Sequence, residues 1–401
     1  MLTAITESGQ IISLVEKWEK QELLNITENE RILCPVCNEK VQLKKGNKRI
    51  WHFAHLSKLN CDTGLENESE YHLKGKIQLY DWLITQGFKV EVEKYLPKIK
   101  QRPDLFVTWK GHNYALEFQC STIESTILLK RTTAYLRENI TPIWILGGNR
   151  LKRSSENILK ITAFDLLMAN SKHNKTTLTL LYYCPATMRF CIVSSLTPFS
   201  PITYFASVEF FFPSQLSFPE IINTSKNYII PNVDAWLSMK KRFRTNSYLF
   251  ADHSFKRMFY EKGLPLCLLP GEAGIPMQSM IWIRTEPIIW QGWILLIFIL
   301  PLKVGESISF QEIFQSFKAN VKRGCFVIRQ IPSLCDSHYS FAIMDYLLRL
   351  ERLGVIEKDG GKRSRFRIKT ELIVPKNVEE ACRLDKMALM KLNKESNNKI
   401  M

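Results

Sequence analysis

The sequence predicts an α/β fold, and three observations carry that expectation. Across residues 66–148 the pattern reads helix, three strands, helix, strand. A compact Cys/His segment at residues 31–61 precedes this run. A β-rich stretch at residues 176–218, and then a region of mixed helices and strands, follow it. At 401 residues the chain is too long for one ordinary core, so about two to four domains are expected.

Composition narrows the class. Hydrophobic residues make up 45% and charged residues 23%, as in a folded chain and not a disordered one. The formal charge of +16 favours a polyanionic partner, nucleic acid or an anionic membrane surface. A generally basic cytosolic protein is the plainer alternative. The ten cysteines are scattered, with one closely spaced pair, so they do not form a disulfide framework. The opening residues MLTAITESGQ lack a signal pattern. The longest apolar run, residues 288–302, is interrupted by Gln291 and Gly292. It is shorter than the roughly 20 residues of a spanning helix. Rich in aromatic and β-branched residues, it reads as a buried strand pair. These features predict a reducing, cytoplasmic setting and no integral membrane segment.

The elements follow in chain order. A hairpin is expected around Glu7, Ser8, Gly9 and Gln10, then a polar stretch. Cys34 and Cys37 form a CPVC knuckle, and His52 and His55 follow in HFAH, with fourteen residues between the pairs. Two thiolates and two imidazoles supply a tetrahedral Zn²⁺ set. A hairpin turning at Gly46 and Asn47 would join the pairs, and Cys61 is a spare thiol able to replace one histidine. Four protein ligands leave no open position, so this zinc would be structural.

Residues 68–84 read as a helix, with Leu73, Ile77, Tyr80 and Ile84 on one stripe. Glu68 and His72 share a face at i,i+4, with Lys76 one turn on, and His72 and Lys76 are candidate nucleic-acid contacts, His72 otherwise an ordinary helix-surface histidine. In the next strands, Asp104 alternates with Leu105, and Glu117 and Gln119 share one face because strand periodicity is two. Asp104 and Glu117 can approach across this hairpin. Two adjacent carboxylates repel unless a divalent cation lies between them, and Mg²⁺ or Mn²⁺ there can activate water against a phosphate. Ser121 and Glu124 read as a capping box for a helix reaching Arg137. On that helix Arg131 and Tyr135 either grip a phosphate and stack on a base, or form a packed pair. Residues 142–146 read as a buried strand ending at Gly147 and Gly148.

The order Pro103-Asp104, then Glu117-x-Gln119, resembles the PD-(D/E)XK nuclease superfamily and implies a restriction-endonuclease-like core. The resemblance implies that Asp104 and Glu117 bind the metal and that Gln119 orients the attacking water. It also implies that a first-helix acid, Glu68 in preference to Glu70, joins them. Gln119 stands where Lys is usual, and an amide can position a water but supplies no charge. More specifically, CPVC and HFAH, ESEYHLKGK, RPDLFV and LEFQ, then RTTAYL and PIWILGG resemble the competence protein CoiA family. The likeness covers about residues 1–150 and continues more loosely through LLYYCPATMRF, LPGEAGIP and IIWQGW. It implies a role in natural transformation, acting on incoming DNA, single-stranded or branched, in connection with RecA.

Residues 220–285 offer little pattern. Residues 341–353 read as an amphipathic helix with Met344, Leu347, Leu348 and Leu350 inward, stopped by Gly354. A basic hairpin follows. Helix then basic hairpin is the pattern of a winged helix, whose Lys362, Arg363 and Arg365 would meet phosphates. A small packed domain with a solvated hairpin is the alternative. After Pro375 one amphipathic helix is expected. The expected divisions are 1–65 (zinc-finger-like), 66–170 (nuclease-like), 171–286 (β-rich) and 287–401 (α+β, winged-helix-like). The expected function is a metal-dependent deoxyribonuclease. The alternative is a catalytically weak DNA-binding factor assisting RecA, and a third reading is a zinc-stabilised interaction protein.

Overall fold

The computed structural model describes residues 1–16, 18–46, 50–56, 61, 68–171, 178–223, 228–247, 253–332, 338–360 and 364–397. The expected first hairpin forms: β1 (Thr3–Thr6) pairs antiparallel with β2 (Ile11–Ser13). Gly9 supplies the left-handed backbone of the turn at φ +90°. The polar stretch that follows becomes α1 (Lys20–Asn29), and β3 (Ile32–Leu33) returns to pair with β1. A separate hairpin joins β4 (Val41–Lys44) to β5 (His52–His55). Val41 and Leu43 are buried and Gln42 and Lys44 exposed, the alternation of a half-covered strand. Asn47, at the expected turn, lies outside the described residues.

The helix–three strands–helix–strand order is present. It comprises α2 (Glu70–Ile84), β6 (Lys89–Val92), β7 (Leu105–Trp109), β8 (His112–Gln119), α3 (Ser125–Arg137) and β9 (Ile140–Gly147). Strands β6, β7 and β8 are antiparallel, whereas β9 lies parallel to β8 after the α3 crossover. Lys110 and Gly111, both at positive φ, make the two-residue turn between β7 and β8.

Two local expectations are corrected. The buried face of α2 is Leu73, Lys76, Leu79 and Leu83, with Ile84 exposed, so the stripe is rotated from the one read in the sequence. Lys76 was invisible as a core position because its charge masks the periodicity. Gly75 on the same helix faces the ring of Phe118, leaving no room for a Cβ. The capping box does not form either: Glu124 caps α3 without a side-chain bond. Ser121 instead accepts from the Gln119 amide.

The sheet continues well past this core. The next elements are β10 (Lys152–Arg153), β11 (Ile158–Lys160), α4 (Ala163–Leu167), β12 (Asn170–Ser171), β13 (Leu178–Cys184), β14 (Arg189–Pro198) and β15 (Thr203–Phe211). One ten-stranded sheet runs β10-β11-β15-β14-β13-β9-β8-β7-β6, with β12 beside β13. Helix α2 covers one face over Val107, Leu116, Ile145 and Tyr183. The other face buries Trp144, Leu146, Tyr182 and Cys191 under α3, α4 and the C-terminal helices.

Those helices begin with α5 (Phe218–Asn223), α6 (Val233–Thr245), α7 (His253–Glu261) and α8 (Pro287–Ile294). The run expected as a strand pair is therefore helical, continuing from α8 into a wider turn over Leu295–Ile299. It is apolar on every side, so no period distinguished helix from strand. Gln291 does not interrupt it, because its side chain bonds both the N–H and the carbonyl of Ile275. Strand β16 (Ser307–Ser309) precedes α9 (Phe310–Lys322), α10 (Ser340–Arg352), β17 (Ile356–Lys358) and β18 (Arg365–Ile368). They close a three-stranded sheet of order β16-β18-β17. The expected helix and hairpin are present, but Lys362 and Arg363 lie outside the described residues. No helix among the described residues is long and apolar enough to cross a membrane.

Helix α11 (Val378–Asn397) packs back onto α6 through one charged knot. Buried Asp385 accepts two bonds of 2.7 Å from Arg244, and Lys240 lies 2.6 Å away. Removing the acid strands two buried cations. Asp385→Ala is expected to cost about 3–5 kcal/mol, read as a lower denaturation midpoint. A midpoint equal to the parent's would remove the knot from the account.

Candidate active site and Cys/His centre

The N-terminal module gathers Cys34, Cys37, His55 and Cys61, with ligand atoms all within 4.8 Å of one another. Cys37 Sγ and His55 Nε2 are 3.3 Å apart, and the Val36 N–H points at Cys34 Sγ. Three thiols and an imidazole at this spacing fit a tetrahedral Zn²⁺. Burial pushes the Cys37 thiol up to about 12, with Cys34 and Cys61 adding to it. A bound cation would be needed to ionise such a cluster. His52 is not part of it. Residues 52 and 55 are an odd number apart on one strand, so their side chains take opposite faces. The His52 ring is engaged by the Ile50 carbonyl. Cys61 takes the place that the sequence reading gave to His52.

A second cluster forms at one end of the large sheet. Ligand atoms of Glu68, His72 and Asp104 all lie within 4.8 Å of one another. Ser69 caps α2 by accepting from the His72 N–H, which fixes Glu68 just ahead of the helix and His72 in its first turn. His72 Nε2 lies 3.3 Å from Asp104 and Nδ1 lies 3.5 Å from Glu68. Its ring stacks on Phe118. Burial disfavours charge on this imidazole, but Asp104 and Glu68 outweigh it and push it up to about 9.

The Lys76 ammonium is at the centre of the cluster. It is 1% exposed, bonds Glu68 and Glu93, and lies 3.4 Å from Asp104. This is an interior position, unlike the phosphate-contacting surface expected for it. Burial opposes the charge, yet the three carboxylates hold Lys76 protonated. In turn Asp104 and Glu68 are held well below the usual carboxylate range, against burial, by these cations.

Glu93 and Arg102 were not found by sequence reading. Glu93 sits at φ +52°, strained for a residue with a side chain. Its carboxylate accepts from the N–H groups of Leu2 and Thr3 at 2.9 and 3.1 Å, and Arg102 lies 3.7 Å away. The only sequence signal was the acid at the end of an alternating KVEVE run.

Asp104 and Glu117 stand side by side, one step beyond the Leu105–Leu116 pair of the β7–β8 ladder. The Phe118 N–H donates to Asp104 Oδ2 at 2.8 Å. Glu117 turns to α3 instead: Arg131 Nη2 lies 2.6 Å from both its oxygens and the Tyr135 hydroxyl donates to one. Arg131 and Tyr135 are thus a packed pair around a carboxylate, with Tyr135 fully buried. Burial pushes Glu117 up to about 7 in spite of Arg131. Gln119 is buried beside it and donates to the Ser121 carbonyl at 3.0 Å. Arg365 is exposed on β18, in the separate three-stranded sheet.

The second donor set, two carboxylates and an imidazole, fits Mn²⁺ or Mg²⁺. Glu117 lies outside this group, with both oxygens held by Arg131. For the first cluster, His52→Ala is expected to retain about one zinc per chain, whereas Cys61→Ser and His55→Ala lose it, measured by elemental analysis. Zinc lost with His52 and kept without Cys61 would reverse the assignment.

Three domain families match the chain in order. They are described as "Competence protein CoiA, N-terminal domain" over residues 15–64, "nuclease-like domain" over 68–226 and "C-terminal domain" over 231–382. The competence protein CoiA of Bacillus subtilis (strain 168) is 30% identical over 335 residues, covering 82% of this chain and 88% of that protein. No solved structure matches the chain. The second carboxylate cluster falls inside the nuclease-like match and the Cys/His centre inside the N-terminal one, and the chain belongs to the competence protein CoiA family.

Proposed function

We propose that this chain is a metal-dependent deoxyribonuclease that processes single-stranded or branched DNA during natural transformation, in connection with RecA. The observation that carries the reading is the convergence of Glu68, His72 and Asp104 at the start of β7, near Glu117 of the paired strand β8. A bound Mg²⁺ or Mn²⁺ would supply positive charge at the phosphate and a more acidic water. Glu68, His72 and Asp104 would hold that ion, His72 as the neutral imidazole. Lys76 holds the neighbouring carboxylates in place and adds fixed positive charge. Gln119, its amide nitrogen donating to the Ser121 carbonyl, would offer its oxygen to the attacking water. A phosphate reaching Arg131 would draw the guanidinium away and free both oxygens of Glu117. Zn²⁺ at Cys34, Cys37, His55 and Cys61 would be structural. The hairpin carrying Lys362, Arg363 and Arg365 would add phosphate contacts in a winged-helix-like unit.

One observation favours a second reading, a weak or inactive nuclease scaffold that binds DNA to assist recombination. Protein cations already neutralise both acidic centres, Lys76 in one and Arg131 in the other.

End-labelled single-stranded, duplex and branched DNA, incubated with Mg²⁺, Mn²⁺ or EDTA, separates the two. Cleavage that needs the metal, and falls about a hundredfold or more in Asp104→Asn and Glu117→Ala, supports the nuclease. DNA binding should persist in both variants. Binding without cleavage in the parent protein selects the accessory role, and cleavage undiminished in Glu117→Ala removes that residue from the site.

A further inference from the structure

The alternation of β15 changes at its end. Tyr204 and Ala206 on one face are buried, Val208 is half-buried, and Phe210 is 43% exposed. Phe212, two residues further on the same alternation, is 45% exposed. The C-terminal layer covers the first rungs of this face and stops short of the last.

Each uncovered ring carries an arginine. The Arg153 guanidinium lies 5.5 Å from the Phe210 ring centre, and that of Arg189 lies 4.5 Å from the Phe212 ring centre. Both arginines are exposed, as are Lys152 and Lys160 on the neighbouring β10 and β11. Of the nearby acids, Glu156 lies in the β10–β11 turn, and Glu209 belongs to the opposite face of β15. The patch therefore pairs aromatic area with net positive charge.

Strand register ties this patch to the candidate site. Gln119 neighbours Leu146, Leu146 neighbours Tyr182, Tyr182 neighbours Cys191, and Cys191 neighbours Phe210. Paired residues share a face, so Gln119 and Phe210 end one row on one side of the sheet. Four strand spacings separate them, roughly 19 Å. Strand β15 runs in the direction of β8, β9 and β13, so Phe212 projects beyond the same carboxyl ends.

We propose that Phe210 and Phe212, with Arg153 and Arg189, form a stacking platform for single-stranded nucleic acid on the side of the sheet that carries Gln119, separated from it by the buried row Leu146, Tyr182 and Cys191. Bases stack on the exposed rings and the guanidinium groups meet the backbone phosphates. Sequence-tolerant stacking plus a cationic track is the general solution for binding single strands. The inference shares a nucleic-acid partner with the proposed function but does not depend on cleavage.

Anisotropy of a labelled oligothymidylate of about 20 nucleotides, titrated with the full chain in EDTA across a salt series, tests it. EDTA removes cleavage from the readout, so failure of the nuclease reading leaves this test intact. The double variant Phe210→Ala, Phe212→Ala is expected to bind at least about tenfold more weakly with an unchanged salt slope. Arg153→Gln with Arg189→Gln should flatten the slope by about 1.4, the loss of two single-strand phosphate contacts. Independently of any variant, an iodouridine-substituted oligonucleotide should photo-crosslink the parent protein at Phe210 or Phe212. Parent-like affinity of the phenylalanine variant, or crosslinks confined elsewhere, overturns the platform. Loss of binding to phosphatidylglycerol vesicles with oligothymidylate binding retained overturns it in favour of a membrane surface.

Discussion

The Lys76 ammonium is the interaction on which the acidic end of the sheet depends. Glu68, Glu93 and Asp104 converge on it from the start of α2, the end of β6 and the start of β7. Three clustered carboxylates, Glu93 buried and Glu68 and Asp104 half-buried, would take up protons or draw apart without a countercharge. With the ammonium among them they remain ionised and close. The arrangement also reaches outward. Glu93, anchored by Lys76, accepts from Leu2 and Thr3, and the Phe53 N–H on β5 donates to the Met1 carbonyl. The strand that carries His55 is thus linked by hydrogen bonds to the cluster that contains Asp104. One buried amine organises the carboxylates and helps to seat the Cys/His module on them.

Much of this was legible in the sequence where periodicity and turn chemistry agree. Alternation in β8 put Glu117 and Gln119 on one face and Leu116 and Phe118 on the other, because a strand has only two faces to choose from, whereas Asp104 lies just ahead of β7 and meets His72 and Lys76 of α2. The i,i+4 spacing of Glu68 and His72 likewise survived. What was not legible depended on which polar residue turns inward. Lys76 reads as a solvated helix position, yet it is 1% exposed. His52 and His55 read as a ligand pair by composition, but the strand places them on opposite faces. The apolar segment around Trp290 lacked any period, and in the fold it is a helix whose Trp290 packs against Phe317 and Tyr346. The extent of the sheet was also hidden: β13 joins β9 in parallel from far along the chain, a pairing that local pattern does not encode.

The two central acids illustrate how position divides the work of similar groups. Asp104 and Glu117 lie on neighbouring segments of the β7–β8 hairpin, and Asp104 raises the cost of charge on Glu117. Asp104 faces His72 and Lys76 and stays fully ionised. Burial pushes Glu117 up to about 7, and Arg131 only partly offsets it. Their environments therefore push two chemically similar groups apart, Asp104 toward the anion and Glu117 toward neutrality. That balance rests on a single guanidinium that contacts both oxygens of Glu117 and is itself 21% exposed. Because Arg131 remains reachable from outside, an incoming anion competes with Glu117 for it. The charge state of a buried acid is in this way coupled to what occupies the surface above it.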